Sequence, residues 1–218
     1  KVGTGTLVLS NNNSFAGGLW VEKGTLRLQG HTNAMGAGLV NVGTNATLDL
    51  NYGAVALRPV PLTLYNGNVT KSTASATTWQ DGFTNYNSST VTVSAGNFYI
   101  NGGMDLSSGT LLFNNANAGG MSGGTMSGAG ALDKRGAGNF NLYPGTHSGN
   151  IILSAGEIRQ YTGTMGGGGT LTMSNGTTYR ADGTTAREMT KASQINGDVT
   201  LGHTSGGAMT FSNTMSLN

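Results

Sequence analysis

The strongest constraint on the fold is a phrase that the chain writes twice. "KVGTGTLVL", residues 1–9, returns as "KRGAGNFNL", residues 134–142. Lys134, Gly136, Gly138, Phe140 and Leu142 answer Lys1, Gly3, Gly5, Leu7 and Leu9. Further on, Gly156 and Ile158 answer Gly24 and Leu26, with slightly less chain in between. Apolar residues at alternate positions mark a strand with one buried face. In residues 4–30 three such runs follow one another, at 5–9, 18–22 and 25–28, separated by "SNNNSFAG" and "EKG". Leu7 and Leu9, Leu19 and Val21, and Leu26 and Leu28 point to one side.

Weaker echoes run to the C-terminus: "NATLDLN" (45–51), "VPLTLY" (60–65), "STVTVSAGNFYI" (89–100), "SGTLLFN" (108–114), "GGTLTMSNGTTYR" (168–180), "NGDVTLG" (196–202) and "GGAMTFS" (206–212). Strand phrases that recur at such short intervals predict a solenoid, because one repeat is too small to bury its own apolar face. At a strand spacing of about 4.8 Å, roughly ten coils give a rod on the order of 50 Å long. The fold class read from the residues is all-β, a parallel β-helix forming one segment over residues 1–218. The best helical candidate is "TAREMTKAS", 185–193. Residues 66–90 break the alternation and are expected to form an irregular loop excursion.

Composition agrees. Gly makes up 38 of 218 residues, Pro only 3, and charged residues 9%. A disordered chain would carry more charge or proline, and collagen would place Gly at every third residue. The charge of +2 comes from 11 basic against 9 acidic residues and makes no basic patch, so no nucleic-acid partner is expected. No apolar run is long enough to cross a bilayer as a helix, so no membrane-spanning helix is expected. Cysteine is absent. The chain opens inside a repeat phrase and stops at "FSNTMSLN", and is read as a segment of a longer protein.

Residues 1–30 resemble the passenger-associated transport repeat of autotransporter passengers, whose pattern runs K-x-G-x-G-x-L-x-L, a polar stretch, then G-G-x-x-V-x-x-G-x-L-x-L. The copy at 132–160 matches through "LDKRGAGNFNL" and "SAGEI" and departs at Gln160, where an apolar residue is expected. The resemblance implies a right-handed parallel β-helix, secreted and displayed at a bacterial surface. It is silent on activity, since one stem can carry many functions.

No reactive cluster stands out. The 9 acids are scattered singly, and His31, His147 and His203 lack metal-ligand spacing. Ser122 in "GMSGG" fits a nucleophile motif by letter only, without a flanking strand and helix. The run "TMGGGGT", 164–170, lacks the Lys-Ser/Thr ending of a phosphate loop and reads as a turn. No catalytic residue, metal or cofactor is expected, and the chain is not read as an enzyme. Trp79, Asp81, Phe83 and Tyr86 lie close together in the irregular stretch and could meet a sugar, or belong to a loop folded back over the stem with its aromatics buried. Trp20 falls on the outward side of its strand and could pack under a loop or meet a partner.

The expected role is therefore a structural or adhesive extracellular stem or fibre segment of a bacterial surface protein. Its partners would be further coils, a second copy end to end, or a host-surface or glycan ligand. The alternative is a carbohydrate-binding or polysaccharide-degrading β-helix, with Asp49 and Asp81 as acids to test. An ice-binding solenoid would need T-x-T at one fixed place in every coil. Here "TGT" (4–6 and 162–164) and "TVT" (90–92) occur without regular spacing.

Overall fold

A computed structural model describes residues 1–57 and 59–218. All regular structure among the described residues is strand. Every strand pair among them is parallel, and the sheets stack as a β-solenoid of about ten turns. One face is a continuous sheet of 11 strands, from Thr6–Leu9 through Thr25–Gln29 and Thr47–Asn51 to Met215–Leu217. A second face has 8 strands, from Val55–Ala56 to Thr200–Leu201. The third face is made in two pieces. Six strands run from Leu19–Val21 to Met126–Ser127, and three run from Thr164–Met165 to Met209–Phe211. The cross-section is thus three-sided, with a gap in the third face at "YPGTHSGN", residues 143–150.

Register explains the alternation. Leu26 pairs with Leu7 on one side and with Leu48 on the other. The row continues through Val69, Val91 and Phe113. From Leu26 onward these side chains are buried against the other two faces. A parallel strand cannot close on its neighbour by a tight hairpin, so each turn of the chain must travel around the prism before pairing again.

Such a path requires sharp corners, and the recurring glycines sit there. Gly24 has φ +73°, and a Cβ on it would lie 2.5 Å from the carbonyl oxygen of Gly3 and 2.6 Å from that of Gly5. Gly156, at φ +75°, is wedged in the same way against the carbonyls of Gly136 and Gly138. The two copies nevertheless lie on different faces. Leu7 belongs to the 11-stranded sheet, whereas Phe140 belongs to the 8-stranded one. The phrase therefore specifies a corner followed by a strand, and the prism uses that unit at more than one of its edges.

Two expectations are corrected. Residues 66–90 are not an irregular excursion: they hold the strands Asn68–Lys71, Thr77–Trp79, Phe83–Tyr86 and the start of Ser89–Val93, each in register with its neighbours. The segment is itself a copy of the phrase, "KSTASATTW", in which Thr73 and Ser75 stand for the two glycines and Gly96 packs on their carbonyls. The helical candidate at 185–193 is also strand, as Arg187–Met189 and the start of Ala192–Asn196. Its alternate residues Arg187 and Met189 pair with Met209 and Phe211, and sheet pairing overrides the weak helix preference of so short a segment.

Gly24→Ala and Gly156→Ala are expected to lose about 2–4 kcal/mol of stability, since positive φ and a backbone clash act together. Gly176→Ala, at φ +76° with open space around it, is expected to lose only about 1 kcal/mol. Urea unfolding of the three variants checks the order.

Candidate functional site

The corners raise a question that the outward surface does not. A tight bend turns several carbonyl oxygens toward the dry interior, where an unpaired acceptor is costly. Inward-pointing polar side chains supply the donors. Lys134 Nζ donates to the carbonyls of Arg135, Gly136 and Ala155 at 2.7, 2.8 and 3.1 Å. Lys1 Nζ does the same for Gly3 and Lys23, at 2.6 and 2.8 Å. Asn115 Nδ2 reaches Asn117 and Asn139, and Asn85 Nδ2 reaches Asn87 and Ser108. Lys71 donates to Thr73. Gln160, the departure from the repeat pattern, donates to Gly163 and Glu188 and accepts the Tyr179 hydroxyl at 2.9 Å. In most of these, one side chain ties the carbonyl of the residue next but one to a carbonyl near the following turn of the solenoid.

Lys191 serves the gap in the third face, donating to the carbonyls of His147, Gly149 and Gly168. His147 closes the same gap, with Nε2 2.8 Å from the Gly130 oxygen and Nδ1 buried without a partner. Burial lowers the Lys134 and Lys191 ammonium groups to about 8 and the His147 imidazole to about 4. An amine near 8 has the basicity expected of a general base. These amines, however, are sealed in the core and committed to carbonyls, so no substrate atom can reach them without opening the corner.

The acids lie apart from one another, and Asp49 and Asp133 are buried beneath their partners. Asp49 lies between Arg27, at 2.7 Å, and Thr70, not beside another carboxylate. Asp133 accepts from Arg135 and Ser154. Burial alone would raise the Glu157 carboxyl, but hydrogen bonds from Arg159, at 2.8 Å, and from Arg180 outweigh it and lower the pKa. Asp81 accepts from the Gly82 N–H at 2.7 Å. Among the described residues no group of three His, Asp or Glu side chains has metal-binding geometry.

The singled-out aromatics divide. Trp79 and Phe83 point into the core, and the Trp79 indole donates to the Val60 carbonyl at 2.7 Å. They cannot take part in a surface site, because period-two alternation runs unbroken through their strands and sends both inward. Tyr86 and Trp20 are outward, 39% and 50% exposed. Tyr65, which does not stand out in the sequence, joins them. Tyr65 and Tyr86 are register partners on adjacent strands, with ring centroids 5.2 Å apart and planes 5° from parallel. The Trp20 ring extends over Gly43, where no side chain intervenes, and stacks on Tyr65 at 5.7 Å and 4°. The signal for Tyr65 is its offset from Tyr86 by one lap of the solenoid, but reading it requires the register of the third face. A groove of about 540 Å³ runs beside the first two rings, lined by Trp20, Glu22, Lys23, Thr44, Asn45 and Tyr65.

Register also aligns threonines. Thr6, Thr25 and Thr47 share one outward row, which passes through Asn68 to Thr90. The next outward row carries Val8, Arg27 and Asp49 opposite the first three, so the paired threonine ranks of an ice-binding face are interrupted by an ion pair.

Residues 1–28 match the family described as passenger-associated-transport-repeat. No curated protein and no solved structure matches the chain. The matched repeat and the stacked parallel sheets are together consistent with an autotransporter passenger β-helix.

The buried amines set the pH dependence of stability. Folded Lys134 and Lys191 release a proton near pH 8, while unfolded lysine holds it to 10.5. In that window the unfolded chain binds more protons, so stability rises with pH. Burial raises Tyr52 and Tyr179, so above pH 10 the unfolded chain loses protons that the folded one keeps, and stability falls. Urea midpoints are expected to climb from about pH 8 to about pH 10 and drop beyond it. Lys134→Met should flatten the climb and cost about 2–4 kcal/mol at pH 7, having left three carbonyls bare. A wild-type midpoint that falls between pH 8 and 10 would contradict the assignment.

Proposed function

We propose that this chain is a structural and adhesive stem of a secreted or surface-displayed bacterial protein, a rod that sets binding surfaces at a distance from their anchor. One observation carries the reading: the matched repeat at residues 1–28 forms the first rungs of a sheet that continues in register through 11 strands. The family implies a secreted or surface-exposed protein, and a β-solenoid supplies length and stiffness with little chemistry of its own. The rod is non-catalytic in this reading. Its support is that Asp49, Asp81, Asp133 and Glu157 are separately engaged by arginine, hydroxyl or backbone donors, and that the Lys134 and Lys191 amines are enclosed.

Antibody raised against the chain is expected to label intact bacteria, and protease added outside is expected to release the epitope. Deleting the gene segment should reduce attachment of the bacteria to host cells or to one another. Labelling only after cell lysis would overturn display at the surface. Undiminished attachment would overturn the adhesive role. Release of unsaturated sugars from polysaccharide, lost on changing Asp49 or Asp81, would replace the non-catalytic reading with an enzymatic one.

A further inference from the structure

We propose that the Trp20–Tyr65–Tyr86 stack and the groove beside it form a binding site for an uncharged polysaccharide lying along the rod. The proposal goes beyond the stem reading and does not depend on the export route. The rings are parallel, yet their centroids are 5.7 and 5.2 Å apart. Flat contact would bring them closer, so each ring is slid sideways on the next in the offset arrangement that aromatic pairs prefer. The offset leaves a strip of every ring face uncovered, and the three rings make a stepped ramp. An apolar C–H face of a sugar ring fits such a strip, while its hydroxyls need polar partners alongside.

The groove provides them. Glu22, Lys23, Thr44 and Asn45 line it next to Trp20 and Tyr65, giving a carboxylate, an ammonium, a hydroxyl and an amide within one open trough. One negative and one positive side chain cancel, which suits a neutral ligand better than a uronate or sulfated chain. The direction is set by the solenoid. Trp20 pairs with Asn41, Asn41 with Thr63, and the strand of Thr63 with that of Tyr86. Because the Trp20 ring leans toward Tyr65, the three rings follow one another at 5.7 and 5.2 Å and make a ramp of about two strand spacings, enough for about two sugar rings. The ramp is also narrow. The outward neighbours Asn41, Thr63 and Thr84 are polar, so the aromatic surface is a single file and lacks the breadth of a dry protein interface.

The chain carries its own reporter. It has two tryptophans, and Trp79 is buried with its indole N–H bonded, so a ligand-induced change in emission reports Trp20. The experiment titrates the full chain with cello-, xylo-, manno-, malto- and chito-oligosaccharides, with oligogalacturonate and a sulfated glycan as charged comparators. A saturable change in Trp20 emission with at least one neutral series is expected. Tyr65→Ala should weaken that affinity about tenfold or more, as loss of one aromatic anchor does, while Tyr65→Phe retains it. A cooperative urea transition close to the wild-type midpoint in both variants shows that the core is intact. No saturable signal with any neutral sugar up to ~10 mM overturns the proposal. So does binding confined to the charged glycans, or an affinity that Tyr65→Ala leaves alone. Concentration-dependent dimers in sedimentation, dispersed by Trp20→Ala, would assign the ramp to a second copy instead.

Discussion

The bends of this solenoid depend on finding donors for carbonyl oxygens that a sharp corner forces inward. Parallel pairing satisfies the straight segments, but a corner interrupts the ladder. The chain resolves this with long or amide-bearing side chains placed where neighbouring rungs carry Val, Leu or Phe. Lys71 pairs in register with Val93, and Val93 with Asn115. Lys134 stands between Phe113 and Leu153. A buried ammonium has a large desolvation cost, which is why burial lowers these lysines. Carbonyl dipoles converging on Nζ offset part of that cost, and the ammonium in turn fixes the bend.

This constraint explains the opening lysine of the repeated phrase. Lys1 and Lys134 each reach the carbonyl of the first glycine of the phrase and a carbonyl just before the later corner glycine, at Lys23 and Ala155. Lysine, the paired small residues and the later glycine are thus parts of one joint. The joint tolerates substitution while the geometry is kept: asparagine serves at Asn85 and Asn115, glutamine at Gln160, and Thr73 and Ser75 replace both glycines after Lys71.

That tolerance also marks how much can be read from sequence. Alternation and glycine spacing identify the strands, their stacking and the length of the repeat, because burial on one face leaves its pattern in the residues. Residues 66–90 read as irregular because the joint there is written without glycine, although its lysine and its Gly96 are in place. Gln160 reads as a defect because an interior donor is invisible until the carbonyls around it are known. Trp79 and Phe83 read as surface candidates when their spacing is judged outside the register that turns both inward. The Trp20–Tyr65–Tyr86 row joins residues from separate laps and depends on the absent side chain of Gly43, a relation that only the stacked turns display.

The variable register step has a consequence of its own. On the longest face Leu26 meets Leu7 after a shorter lap than the one that brings Leu48 onto Leu26, so the bends absorb small gains and losses of chain. Since one corner unit is used at two edges of the prism, a stretch of gene encoding a whole lap could be duplicated or deleted with each junction still meeting a compatible neighbour. The length of the rod is thus set by the number of laps, separately from what any one outer row displays.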